Sequence, residues 1–232
     1  MTGMDLMAPF LASDAASPRI TTYTDRGRME LSAATAANWA AKGGNLFTGE
    51  LGLGRGDVVV VDCPTDWLPA ALVLGCWQAG VAVCSPASPA AQDAATVITT
   101  DPGCDLADEV LLVSTDPFGR GVAESGGEVP FGVTDLAPEL RVQGDRYAGP
   151  SSGADAVLLV DATGAEVTGT ELQDRASSRG ENVRAVTGGW EDADSLVDRL
   201  LPLFAGGSVV LSTDGDADRL AHLAEVEKGV VG

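Results

Sequence analysis

Lysine is almost absent from this chain of 232 residues, which carries two lysines and twelve arginines against 34 acidic residues. The resulting net charge of −20 repels phosphate backbones and anionic lipid headgroups. We therefore predict that the protein binds neither nucleic acid nor membrane surfaces. A basic protein partner is compatible with this charge if acidic residues form a localised patch, which the sequence alone does not reveal.

Residue types that hold metals are also scarce. The chain has one histidine, His222, and four cysteines that form no CxxC pair, so a Cys/His zinc site has too few ligands. The cysteines, interpreted as structural thiols, are Cys63, Cys76, Cys84 and Cys104. Two acidic clusters, at 191–194 and 214–218, lie where Asp would cap a helix. We predict capping there, and no metal site.

Long apolar runs are missing as well. No run approaches the roughly 20 apolar residues needed to span a bilayer. No basic residue precedes Arg19, although a signal peptide would open with one. We expect a cytoplasmic protein whose residues 1–17 form a short first helix. A chain of this length builds one domain over 1–232, or two lobes at about 1–150 and 151–232.

A strand–helix–strand unit is the clearest positive feature, and it covers residues 51–88. The apolar run from Val58 to Val61 is typical of a strand that is buried on both faces. Thr65 or Asp66 is placed to cap the helix that follows, and Val81 to Cys84 form the second strand. This order implies a right-handed crossover and a parallel sheet.

The rest of the chain continues the alternation of strands and helices. A hairpin and a helix capped by Ser32 come first. Further strands are predicted at 96–100, 109–114, 156–160, 183–187 and 208–212, a hairpin turn at 161–169, and helices at 133–140, 170–179, 194–204 and 216–227. This pattern predicts an α/β fold with mainly parallel sheets flanked by helices. Trp190, beside two glycines, is expected to be exposed.

Several short motifs occur in a distinctive order. They are LGL at 51–53, GDV at 56–58, Pro64, AGV at 79–81, Pro86 and LPLFAGGSVVL at 201–211. This order resembles the N-terminal part of the adenylate-forming (AMP-binding) enzymes, which include acyl-CoA synthetases, luciferases and peptide-synthetase adenylation domains. The resemblance implies their N-terminal α/β fold. The short length and the acidity further resemble a small actinobacterial family related to these enzymes.

The phosphate loop of that family departs most from its pattern here. The family reads YTSGTTGxPKG, and the matching segment at 159–169 reads LVDATGAEVTG. The residues that persist, and that we predict as a degenerate ligand-binding loop, are Thr163, Gly164, Thr168 and Gly169. The family lysine is missing, and Asp161 and Glu166 add negative charge. Phosphate loops need converging N–H groups and a cation, so ATP or AMP binding is disfavoured and no cofactor is expected.

No catalytic residue is predicted either. His222 has no nucleophile at a recognisable spacing, and no counterpart is expected for the family's C-terminal lid domain with its catalytic lysine, so Lys228 is interpreted as a solvated residue. The leading hypothesis is a non-catalytic relative, a pseudoenzyme, that acts as a binding or interaction module. One alternative is a small-molecule or nucleotide-binding protein that retains the crevice at the strand ends. Another is a subunit of an adenylate-forming complex, which pairs with itself or with a protein partner.

Overall fold

The structure is a computed structural model that describes residues 14–232. Most of the first helix expected over 1–17 therefore lies outside the described residues. Within them, the segment from Asp14 to Ser17 is a turn, in which the backbone N–H of Ser17 donates to the carbonyl of Asp14 over 2.9 Å.

Strands and helices alternate along the described chain. The strands are β1 (Pro18–Thr24), β2 (Gly27–Ser32), β3 (Val58–Asp62), β4 (Ala82–Cys84), β5 (Thr96–Thr99), β6 (Glu109–Leu112), β7 (Thr134–Asp135), β8 (Val157–Val160), β9 (Glu166–Thr168), β10 (Arg184–Gly188), β11 (Ser208–Ser212) and β12 (Val230–Val231). The α-helices are α1 (Ala33–Asn45), α2 (Trp67–Ala79), α3 (Leu136–Val142), α4 (Gly169–Ser178), α5 (Ala193–Phe204) and α6 (Ala217–Glu227). A π-helical turn, Leu46–Glu50, extends α1, and a 3-10 helix covers Pro89–Gln92.

The strands form two sheets. Sheet 1 has the order β12-β10-β11-β1-β2, and sheet 2 has the order β7-β6-β5-β3-β4-β8-β9. The hairpins β1–β2 and β8–β9 pair antiparallel, and the other neighbours pair parallel. These sheets confirm the predicted α/β fold. Each sheet takes strands from both sides of residue 150, and the division into two lobes stays a prediction.

A large apolar core joins both sheets to the helices. Helix α2 is at its centre and is buried on nearly every side, as expected for a helix that is apolar all round. The indole of Trp77 is 1% exposed, and its N–H donates to the carbonyl of Leu158 over 2.8 Å. Helix α6 covers the other face of sheet 1 through Leu220 and Leu223. Within residues 14–232, no helix is both long and apolar enough to cross a membrane.

Most helix caps occur where the sequence predicts them. Ser32 caps α1, and Asp66, the second of the two predicted candidates, caps α2. Asp192 and Asp216, one from each acidic cluster, cap α5 and α6. The predicted cap of α4, Thr170, is wrong by two residues, because Thr168 is the cap: its hydroxyl and the Glu171 carboxylate form a capping box.

The predicted exposure of Trp190 is wrong. The side chain is 7% exposed, and its indole N–H donates to the carbonyl of Cys63 over 2.8 Å. Its backbone N–H donates to the hydroxyl of Thr65 over 2.9 Å. These bonds join the end of β10 in sheet 1 to the end of β3 in sheet 2. A long-range contact of this kind leaves no periodic trace in the sequence, so the adjacent glycines misled the prediction.

Candidate functional site

The degenerate phosphate loop is the turn of the β8–β9 hairpin, at the carboxyl end of β8. The backbone N–H of Asp161 donates to the carbonyl of Ala165 over 3.0 Å, and that of Gly164 donates to the carbonyl of Asp161 over 2.9 Å. Gly164 has a φ of +88°, a left-handed conformation that glycine adopts without strain. The loop is therefore a tight, internally bonded turn.

The carboxylate of Asp161 sits inside this turn and occupies its donors. It accepts hydrogen bonds from the backbone N–H of Thr163 over 2.8 Å, from the hydroxyl of Thr163 over 2.7 Å and from the backbone N–H of Ala165 over 2.9 Å. The bonds from Thr163 and Ala165 lower the pKa of Asp161, so it is ionised at neutral pH. These N–H groups thus bond to an internal anion, whereas a phosphate loop directs such groups at a bound phosphate.

Two further carboxylates engage neighbouring N–H groups. Glu171 accepts from the backbone N–H of Thr168 over 2.7 Å and from its hydroxyl over 2.8 Å. Asp194, at the start of α5, interacts with the backbone N–H of Ala162. Burial, followed by the nearby charge of Asp192, raises the pKa of Asp194. Three amides of this segment, those of Thr163, Ala165 and Thr168, therefore donate to the protein's own acidic side chains.

The four predicted ligand residues do not converge on one pocket. Thr163 and Gly164 are exposed at the tip of the turn, whereas Gly169 is buried in the first turn of α4. The Thr168 hydroxyl is used in the capping box. Gly164 lines a recess of about 440 Å³ on the outer face of sheet 2. Their role in ligand binding stays a prediction.

A separate cavity of about 410 Å³ lies between the hairpin, α4 and α5. Its apolar lining consists of Leu159, Val167, Leu172, Val197 and Leu201. Its charged lining residues are Asp161, Arg175, Asp194, Asp198 and Arg199. One oxygen of Asp194, Oδ2, is buried and has no hydrogen-bond partner among the described residues. This cavity is large enough for a small organic molecule.

Groups that could perform nucleophilic chemistry are protected or isolated. Burial raises the pKa of the thiols of Cys63 and Cys76, and it raises that of Cys84 to about 11, so thiolate is scarce at neutral pH. His222 is exposed on α6. Within residues 14–232, no cluster of histidine, cysteine and acidic side chains could hold a metal ion.

The sequence has a close relative in Mycobacterium tuberculosis (strain ATCC 25618 / H37Rv), described as a TIGR03089 family protein. The two are 35% identical over 240 residues, which cover 96% of this chain and 94% of the relative. The chain belongs to the TIGR03089 family. No protein-family model matches it.

Solved structures show which fold this TIGR03089 protein has. An acyl-CoA synthetase from Brucella canis matches with a TM-score of 0.78 at 17% identity, covering 99% of this chain and 47% of that one. Apo MatB from Rhodopseudomonas palustris matches with a TM-score of 0.63 at 18% identity, covering 97% and 48%. A nonribosomal peptide synthetase, FmoA3, matches with a TM-score of 0.64 at 18% identity, covering 98% and 25%.

These matches confirm the resemblance at the level of the fold: the TIGR03089 chain has the α/β fold of the N-terminal part of adenylate-forming enzymes. The chain spans about half the length of the acyl-CoA synthetase and of MatB. From the sequence, Asp161 was predicted only as a negative charge that opposes phosphate. That its carboxylate accepts hydrogen bonds from the N–H groups of the turn was not predicted. The sequence Asp-Ala-Thr-Gly at a turn is the local signal for that arrangement, because an Asp side chain accepts from the N–H two residues further on. The position of Asp194 has no such signal, because α5 brings it there from another part of the chain.

Proposed function

We propose that this protein is a non-catalytic relative of the adenylate-forming enzymes and acts as a binding or interaction module. The observation that carries the proposal is the occupied loop. The Asp161 carboxylate accepts three hydrogen bonds from the turn that would otherwise be available to a phosphate. A retained scaffold with an occupied phosphate loop fits a protein that uses its surface rather than adenylation chemistry.

Electrostatics adds to this argument. A triphosphate at the turn would meet the ionised carboxylate of Asp161 and the exposed carboxylate of Glu166. Like charges at close range oppose binding, and the loss of each N–H donor removes a charge-assisted hydrogen bond. Thr168 stands where the family has its lysine, and its hydroxyl is already committed to capping α4. No lysine compensates at this turn.

The direct test is adenylate formation. Purified protein is mixed with ATP, magnesium and a panel of carboxylic and amino acids, and pyrophosphate release is measured beside an active acyl-CoA synthetase. We expect no release above the buffer rate with any acid. A saturable release that follows this protein through purification would overturn the proposal.

A second candidate function, small-molecule binding, is supported by the cavity between α4 and α5. It combines an apolar lining with Arg175 at the edge and the unpartnered oxygen of Asp194. If AMP is the ligand, calorimetry should detect binding that Arg175→Gln weakens. Arg146→Gln is the control, because Arg146 is an exposed arginine outside this cavity. Equal effects of the two variants, or no AMP binding, would contradict this candidate.

A further inference from the structure

The outer face of sheet 2 is covered unusually lightly. Parallel sheets are normally packed against helices on both faces. The apolar cluster on this face contains Val60, Ala82, Cys84, Ala91, Ala94, Val97, Val110 and Val160. In the part of the chain that the structure describes, no α-helix contributes a side chain to this cluster. The 3-10 helix and loop segments cover it instead, whereas α6 covers the corresponding face of sheet 1.

This thin cover leaves the recess of about 440 Å³ that Gly164 borders. Leu53, Val58, Pro89, Ala90 and Val160 supply its apolar surface. Val58 and Ala90 are only partly buried, so apolar surface of the sheet and of its cover is accessible to a partner. Apolar surface of this kind is suited to docking rather than to exposure to water.

The charges around the recess are all of one sign. Its charged lining residues, among those described, are Asp57, Asp93 and Glu166. Asp57 accepts a hydrogen bond from the backbone N–H of Gly54 over 2.8 Å. The side chains of Asp93 and Glu166 are exposed, and within residues 14–232 they make neither a hydrogen bond nor an ion pair. The carboxylates of Asp93 and Glu166, at the edge of the recess, can thus form ion pairs with cationic groups of another molecule.

We propose that this recess docks a lysine-rich, partly apolar segment of a partner protein. A lysine side chain matches the site, because its aliphatic stem can pack on the valines and on Pro89 while its ammonium group reaches a carboxylate. A second copy of this chain is a poor occupant, since the protein has a net charge of −20 and two lysines. Lys42 is already paired with Asp145 over 3.0 Å. The inference rests on the proposed role as an interaction module and gives that module a surface and a partner chemistry.

The test uses the full chain and a fluorescent amphipathic peptide made of leucine and lysine, with binding measured by anisotropy at physiological salt. The same peptide with glutamate in place of lysine is the probe control. We expect the lysine peptide to bind and Asp93→Lys/Glu166→Lys to weaken it about tenfold or more, since opposite charge is replaced by like charge. The matched control is Asp174→Lys/Glu225→Lys, which makes the same change in net charge at exposed positions on α4 and α6. It should weaken binding by no more than about twofold, because these charges lie away from the recess.

A size variant tests the apolar part of the site. Ala90→Trp fills the recess without changing any charge, and we expect it to abolish binding while the circular dichroism spectrum is unchanged. Equal effects of the two charge-reversal variants, full binding to Ala90→Trp, or no binding of the lysine peptide would overturn the inference. Competition by spermine at the peptide's own concentration would also overturn it, because the site would then select small cations. None of these outcomes involves ATP, so they are independent of the adenylation test.

Discussion

At the scale of single residues, the Asp161 carboxylate determines where the N–H groups of its turn donate their hydrogen bonds. Its carboxylate accepts from the backbone N–H groups of Thr163 and Ala165. In Asp161→Ser the shorter side chain no longer reaches both amides, and we expect their hydrogen exchange, followed by NMR, to become faster. Asp161→Asn is the matched control, because its amide oxygen can still accept both bonds without a charge. Equal exchange in the two variants would contradict the assigned role of the side chain.

Single residues also show which features could be predicted from the sequence and which could not. Local chemistry was predictable where one side chain serves its own helix, as Ser32 and Asp66 do. Trp190 and Asp194 could not be predicted, because each is defined by a partner distant in the sequence. The missing lysine and the added carboxylates were visible in the sequence. The hydrogen bonds that the turn donates to the Asp161 carboxylate could be found only from its geometry.

At the scale of elements, the contact between α1 and α2 depends on glycine. A Cβ placed on Gly75 of α2 would lie 2.8 Å from the carbonyl oxygen of Ala40 and 3.0 Å from the backbone N of Gly44, both in α1. These are backbone atoms that cannot move aside without displacing a helix.

We therefore expect Gly75→Ala to lower the free energy of unfolding by about 1–3 kcal/mol, the usual cost of overpacking, in urea denaturation. Gly49→Ala is the control, because a Cβ at Gly49 meets no atom within 4 Å. Its free energy of unfolding should stay equal or rise by up to about 1 kcal/mol, since alanine favours helices. A variant Gly75→Ala as stable as the wild type would contradict the close helix packing.

The joint between the two sheets gives a second prediction at this scale. Thr65 is 7% exposed, and its hydroxyl accepts the backbone N–H of Trp190. Thr65→Val leaves that N–H buried without a partner, so unfolding should become easier by about 1–3 kcal/mol in a thermal or urea melt. Thr65→Ser retains the hydroxyl, so it should lower the free energy of unfolding clearly less than Thr65→Val does. Equal losses of stability in Thr65→Val and Thr65→Ser would contradict a stabilising role of this hydrogen bond.

The element scale was the most predictable from sequence. Buried strands such as β3 and amphipathic helices such as α5 carry the expected apolar patterns. Short pieces were missed: β12 has two residues, and its pairing with β10 depends on the position of a strand far along the chain. The hydrophobic periodicity also did not predict which of the two sheets each strand joins, because local patterns do not specify which strands become neighbours.

At the scale of the whole molecule, α6 is held on sheet 1 by an ionic cluster. Glu227 accepts from Arg28 Nε over 2.7 Å, from the Tyr23 hydroxyl over 2.6 Å and from Arg184 Nη2 over 2.5 Å. The bond from Arg28, with those from Tyr23 and Arg184, lowers the pKa of Glu227 to about 2. An unfolded glutamate has a pKa of about 4.3.

Because the folded pKa is below the unfolded value, the carboxylate stabilises the fold above about pH 4.3, and this contribution is lost as the pH falls toward 2. We expect Glu227→Gln to be less stable than the wild type at pH 7, with a difference that narrows between pH 4 and pH 2 in urea titrations. Glu225→Gln, exposed on the same helix, should show no such change. A difference independent of pH would contradict the assignment.

The whole molecule consists of α6, sheet 1, a central group of helices, and sheet 2 with a lightly covered outer face. It shares the fold of acyl-CoA synthetases over about half of their length, while N–H groups of the turn at 161–165 donate to the chain's own Asp161 carboxylate. We propose that this chain binds no nucleotide.

Isothermal titration calorimetry of the pure protein with ATP, AMP and coenzyme A, each with magnesium, tests that claim most directly. We expect no binding heat with any of the three. Binding of ATP or AMP at micromolar concentration would contradict it, because the missing lysine and the internal carboxylate of Asp161 would then not prevent nucleotide binding.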